Sequence, residues 1–140
     1  MDMPFPSGLS PETMVQEGRV HRAAYVDPAI FELEMQRIFG RAWLYLCHES
    51  QVAEPGRFFT TQMGREPVIV VRARDGALHV VFNRCTHRGA KLAIDEQGAV
   101  KRFVCCYHGW AFELDGRLAE VPLPEGYGAC LLYTSDAADE

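Results

Sequence analysis

The chain has 140 residues, 48% of them hydrophobic and 24% charged, enough for one domain with a buried core and too ordinary for a low-complexity protein. A formal net charge of −5 offers no basic surface to nucleic acid or an anionic membrane, and no apolar run approaches the ~18 residues of a membrane-spanning helix. Five cysteines and no secretory signal point to a reducing, cytoplasmic compartment, where cysteine serves metals rather than disulfides.

Residues 1–19 are expected to be a disordered tether, opening on a polar stretch with Pro4, Pro6, Ser7 and Pro11. Residues 20–41 read as an N-terminal helical arm. Asp27-Pro28 opens its helix, because Asp can accept from an early N–H and Pro is tolerated at the first helical position. Phe31, Met35, Ile38 and Phe39 fall on one face, and Gly40 is a stop signal. Residues 43–46 form a short apolar strand candidate, and Glu54-Pro55-Gly56 a turn. Residues 57–63 and 67–74 read as strands. Asp75-Gly76 is a hairpin turn, with 77–82 as its return strand. Residues 100–105 read as a further strand, and 110–114 and 117–121 as a second hairpin about Asp115-Gly116. The fold class is therefore all-β: an antiparallel sheet domain over 42–127, preceded by the helical arm.

Two Cys/His pairs sit in loops beside these hairpins. Cys85-Thr86-His87 follows the first, and Cys105-Cys106-Tyr107-His108 precedes the second. Thiolates suit zinc or iron–sulfur clusters, and imidazoles suit zinc, copper or iron. A Cys2His2 zinc site is the plain competitor, but zinc fingers usually pair Cys with Cys and His with His. Here each loop offers one of each. That distribution suits a two-iron cluster, with Cys85 and Cys105 on one iron and His87 and His108 on the other.

The flanking residues carry a resemblance. Asn83-Arg84-Cys85-Thr86-His87-Arg88-Gly89-Ala90 and Cys105-Cys106-Tyr107-His108-Gly109-Trp110 resemble the signature loops of Rieske domains. They most resemble those of aromatic-ring-hydroxylating dioxygenase alpha (large) subunits of the benzoate, toluate or salicylate type. The likeness covers residues 20–127. Val20-His21-Arg22, Trp43-Leu44-Tyr45, His48-Glu49-Ser50 and Pro55-Gly56 are similar to that family's arm and first strands, and Pro122-Leu123-Pro124 to the segment leaving the domain. Respiratory Rieske proteins carry an extra cysteine in each loop, near Ala90 and Tyr107 here, so their disulfide has no counterpart. Rieske ferredoxins usually lack the Arg88-Gly89 and Gly109-Trp110 endings. Cys106 stands where the family usually has Pro; only Cys105 gives the C-x2-H spacing, so Cys105 is assigned as ligand and Cys106 is expected to be a small buried residue.

The resemblance implies a [2Fe–2S] Rieske cluster on Cys85, His87, Cys105 and His108. Two neutral imidazoles in place of thiolates make it less negative, raising the reduction potential to about −150 to +300 mV. It implies a ferredoxin or flavin reductase as donor, and neighbouring alpha subunits, with or without a beta subunit, as partners. His108 would face a neighbour's mononuclear iron, where O2-dependent hydroxylation of an aromatic acid takes place. Arg88 and Trp110 are candidate groups around the cluster. No residues for the mononuclear iron are expected in this chain: His21, His48 and His79 are the histidines left over, and none follows His108. The alternative function is a free-standing Rieske-type ferredoxin. Residues 130–140 read as a sequencing adapter translated in frame. On that reading Asp136, Asp139 and Glu140 are foreign, the net charge becomes about −2, and the natural chain continues beyond about Ala129.

Overall fold

The computed structural model describes residues 9–127. The start of the expected tether and the whole 130–140 tail lie outside these residues. The chain divides into two compact units at Leu44/Tyr45.

In the first unit Ser10 caps a single turn, α1 (Pro11–Met14). Its hydroxyl accepts from Thr13 N–H, and Thr13 Oγ1 accepts in return from Ser10 N–H. Strands β1 (Val15–Gln16) and β2 (Arg19–Val20) pair as a short hairpin. The expected tether thus carries structure from Pro11 onward. The same Ser, Thr and Pro that make the segment look solvated also supply a capping box. After α2 (Ala23–Val26) comes α3 (Pro28–Glu34), where Asp27 Oδ1 accepts from Ala29 N–H at 2.9 Å. The helix does not run regularly to Gly40. Met35–Phe39 form a π-helical turn, closed by Gly40 N–H donating to the Met35 carbonyl at 2.8 Å. That wider turn changes which face is covered: Ile30 and Leu33 are buried, while Phe31, Ile38 and Phe39 are exposed. The stripe expected over Phe31, Met35, Ile38 and Phe39 assumed a constant 3.6-residue period, which the π turn breaks.

The second unit begins without the expected 43–46 strand. Residues 43–46 pair with nothing among the described residues, Tyr45 is 80% exposed, and in the first unit Trp43 is fully exposed. Apolar composition makes a strand only where a neighbour completes its ladder. A 3-10 turn at Glu49–Val52 is pinned by Arg72, whose Nε donates to the Val52 carbonyl at 2.7 Å and whose guanidinium meets Glu49 at 2.6 Å. Strands β3 (Arg57–Met63), β4 (Glu66–Arg72), β5 (Leu78–Phe82) and β6 (Gln97–Ala99) form an antiparallel sheet in the order β5-β4-β3-β6. Strands β7 (Phe103–Val104), β8 (Ala111–Phe112) and β9 (Leu118–Glu120) form another, with a bulge between β8 and β9.

Both anticipated Asp-Gly hairpins form, and they form alike. Asp75 Oδ1 accepts from Ala77 N–H at 3.0 Å, and Asp115 Oδ1 from Arg117 N–H at 3.1 Å. The expected strand 100–105 is divided instead. Ala99 ends β6 opposite Arg57, the chain bends at Lys101-Arg102, and Phe103 starts the other sheet. The inner faces of both sheets share one core. Phe58, Ile69, Val71 and Val81 come from the larger sheet, Phe103 and Phe112 from the smaller, and Cys85, Cys105 and Trp110 lie among them. Val68 to Val71 are all buried because β4 is covered on both faces. The candidate site is thus part of the domain core, between the sheets that position it.

Candidate metal centre

The two loops share one backbone design. In the first, Cys85 N–H donates to the Ala90 carbonyl at 2.7 Å, and Gly89 N–H to the Cys85 carbonyl at 2.8 Å. In the second, Cys105 N–H donates to the Trp110 carbonyl at 2.8 Å, and Gly109 N–H to the Cys105 carbonyl at 3.0 Å. Each loop reverses through a glycine in the left-handed region, Gly89 at φ +73° and Gly109 at φ +72°, where a Cβ would be strained. The cysteines occupy equivalent places and the histidines do not. His87 stands two residues after its Cys, and His108 three.

This brings the four candidate ligands together as two pairs. Cys85 and Cys105 are 2% and 3% exposed, and their thiols are close enough to interact. The His87 and His108 rings lie 4.6 Å apart, half-buried. Burial pushes the Cys85 thiol up from its ordinary value. The Cys105 thiol beside it acts the same way, while the backbone N–H groups of His87 and Arg88 oppose both. Those N–H groups are donors ready for a thiolate. Burial, then the charges of His108 and Arg88, hold the His87 imidazole below its ordinary range, in the neutral form a metal needs.

Buried His87 Nδ1 has no hydrogen-bond partner among the described residues. An orphaned ring nitrogen in a core is costly unless a further group satisfies it, and an iron would. No three His, Cys, Asp or Glu side chains among the described residues are grouped to hold a single metal ion. A tetrahedral zinc site needs its donors on one point, whereas a two-iron cluster needs a sulfur pair and a nitrogen pair. The donor arrangement therefore fits the cluster.

The other sequence candidates sort clearly. Trp110, 3% exposed, stacks on His87 at 4.8 Å and 7°, and its Nε1 also has no hydrogen-bond partner among the described residues. The Arg88 side chain is exposed; its N–H and its charge are what reach the site. Cys106 is exposed rather than buried as expected, because the chain turns out of the core directly after buried Cys105. His21 Nδ1 accepts from Ala23 N–H, His48 caps the Glu49–Val52 turn, and half-buried His79 faces Asp115. Tyr127 is a contact that sequence reasoning missed. Its ring meets His87 at 5.6 Å and Trp110 at 5.2 Å, both edge-on, a contact with no local sequence signal.

Two small antiparallel sheets clasping two Cys/His loops define an iron–sulfur electron-transfer domain. The Rieske [2Fe-2S] domain model matches residues 42–130, and the chain belongs to that family, whose members bind a [2Fe–2S] cluster. The chain is 43% identical over 116 residues to the benzene 1,2-dioxygenase alpha subunit of Pseudomonas putida, covering 83% of this chain and 26% of that one. It is 44% identical over 110 residues to the toluate 1,2-dioxygenase alpha subunit of Pseudomonas putida, covering 79% and 24%. The crystal structure of naphthalene 1,2-dioxygenase from Rhodococcus sp. matches with a TM-score of 0.72 at 34% identity, covering 81% of this chain and 26% of that one. The chain thus spans about a quarter of the length of the relatives it matches. No helix among the described residues is long and apolar enough to cross a membrane.

Proposed function

We propose that this domain is the electron relay of a ring-hydroxylating oxygenase alpha subunit. Cys85 and Cys105 would hold one iron of its cluster, and His87 and His108 the other. The observation that carries this ligand set is the pairwise convergence of two buried thiols and two half-buried imidazoles, with His87 Nδ1 unpaired among the described residues. Bound there, the cluster supplies reversible one-electron transfer at a potential raised by its imidazole ligands.

The chain's own residues prepare that site. The loop N–H groups of His87 and Arg88 are aimed at the Cys85 sulfur and stabilise its thiolate. Trp110 fixes the plane of the His87 ring by stacking, and Tyr127 closes that corner edge-on. The half-buried histidine side is the way in for a partner, because the cysteine side is sealed in the core. Electrons would arrive from a ferredoxin or flavin reductase. They would leave for a mononuclear iron outside this sequence, in an oxygenase built of neighbouring alpha subunits and working in the cytoplasm. The likeness to a toluate dioxygenase supports an aromatic acid as substrate, and that to a benzene dioxygenase supports aromatic rings more broadly.

The test is reduction of the cluster-loaded chain by NADH through a flavin reductase and ferredoxin, followed by bleaching of the visible absorbance. Reduction within seconds is expected; a chain that only dithionite can reduce would overturn the relay. Toluate and benzene offered to the complete oxygenase, with O2 uptake as readout, separate the acid from the hydrocarbon.

A further inference from the structure

The two cluster loops share a backbone but are not held alike at their bases. The second runs from β7 to β8, and the pairs Phe103–Phe112 and Val104–Ala111 lie directly beneath it. The first leaves β5 at Phe82, and residues 90–93 join no strand. Asn83 stands at that base, the one buried polar residue among those described, at 4% exposure. Its Oδ1 accepts from the N–H groups of Leu92 at 3.0 Å and Ala93 at 2.9 Å, and its Nδ2 donates to the Ala93 carbonyl at 2.8 Å. Its own N–H donates to the Pro67 carbonyl at 2.8 Å, extending the ladder with β4.

A strand residue offers its neighbour one N–H and one C=O. A side-chain amide offers the same two functions, with two lone pairs on its oxygen. We infer that Asn83 is the positioning residue of the first cluster loop: its amide stands in for the strand pairing that the second loop has and the first lacks. It closes residues 84–91 between two fixed points. Cys85 and His87 are thereby held in place before any cluster arrives. Without that amide, two N–H groups and one carbonyl lose their partner, and Ala93 is buried. A buried group left unpaired costs more than a bond not made, so the loop would open to water. The β7–β8 hairpin carrying Cys105 and His108 would stay closed.

The inference touches the proposed function only in treating Cys85 and His87 as ligands, and the experiment has a part independent of that. Amide hydrogen exchange on the full unsubstituted chain should show Leu92 and Ala93 protected to within about tenfold of the β4 amides. Exchange at the rate of an open loop would overturn the clamp, whatever the metal. On the loaded protein, Asn83→Ala should release iron to a chelator at least tenfold faster than the parent, with an altered paramagnetic resonance spectrum in the remaining cluster. Asn83→Asp keeps the acceptors and lacks the donor when ionised, so it should fall between; it serves if the alanine variant does not fold. Release within twofold of the parent, or lowered stability with an unchanged spectrum, would contradict a positioning role.

Discussion

Cys105 and Cys106 are adjacent thiols, and only one can be the ligand. Cys105 is 3% exposed among Phe103, Trp110 and Phe112, while Cys106 is exposed. Serine at Cys105 would remove a soft donor and put a hydroxyl in an apolar core. An unpaired buried hydroxyl costs about 1–3 kcal/mol. With a urea slope of about 1–3 kcal/mol per molar, the cluster-free chain should lose about 1 M in its unfolding midpoint. Serine at Cys106 meets solvent and should change stability by no more than about 0.5 kcal/mol. Iron and acid-labile sulfide per chain, the paramagnetic resonance spectrum after reduction and urea unfolding of the stripped chain measure both effects. Cys105→Ser should lose the cluster and destabilise; Cys106→Ser should keep the cluster and the midpoint. A normal cluster in Cys105→Ser, or its loss in Cys106→Ser, would refute the assignment and shift the second loop by one residue.

Four further outcomes are expected. Gly109→Ala should lower stability more than Gly89→Ala, by about 1 kcal/mol or more, because a Cβ at Gly109 meets Pro122 Cγ at 3.2 Å while one at Gly89 meets nothing within 4 Å; equal denaturant midpoints would contradict this. Trp110→Ala should cost about 3–5 kcal/mol and shift the reduction potential, since it removes the stacked face of His87; an unchanged potential in protein-film voltammetry would leave Trp110 a packing residue. His87→Cys, where it still loads a cluster, should lower the potential by roughly 100 mV or more, because a thiolate adds negative charge; a raised potential contradicts that. His87 is held below its ordinary value, so the unfolded chain binds more protons than the folded one below about pH 6.5. The stripped chain should lose stability as pH falls through that value, less so in His87→Gln; a parent midpoint that is flat between about pH 5 and 7 would be inconsistent.

The sequence and the structure agree where local chemistry decides. Asp75-Gly76 and Asp115-Gly116 announce their hairpins because the Asp side chain and the Gly backbone make the turn themselves. Two Cys/His pairs in separate loops announce a two-iron site for a similar reason: spacing within each loop is a local property. Disagreement begins where a distant partner decides. Residues 43–46 look like a strand and have none to pair with among the described residues, whereas Gln97–Ala99 has no strand-like composition and pairs because 57–59 offer an edge. The π turn at Met35–Phe39 has no signature a helical period would reveal. Tyr127 and Asn83 reach the site through tertiary contacts, so neither stands out in the sequence for its role.

The central claim is that Cys85, His87, Cys105 and His108 hold a two-iron cluster and not a single ion. Metal and sulfide analysis of the unsubstituted chain, joined to paramagnetic resonance of the reduced protein, tests it most directly. The expected result is two irons and two labile sulfides per chain, as the family's [2Fe–2S] cluster requires, with a signal that appears on reduction and is lost in His108→Ala. One zinc per chain, with no labile sulfide and no signal, would contradict it.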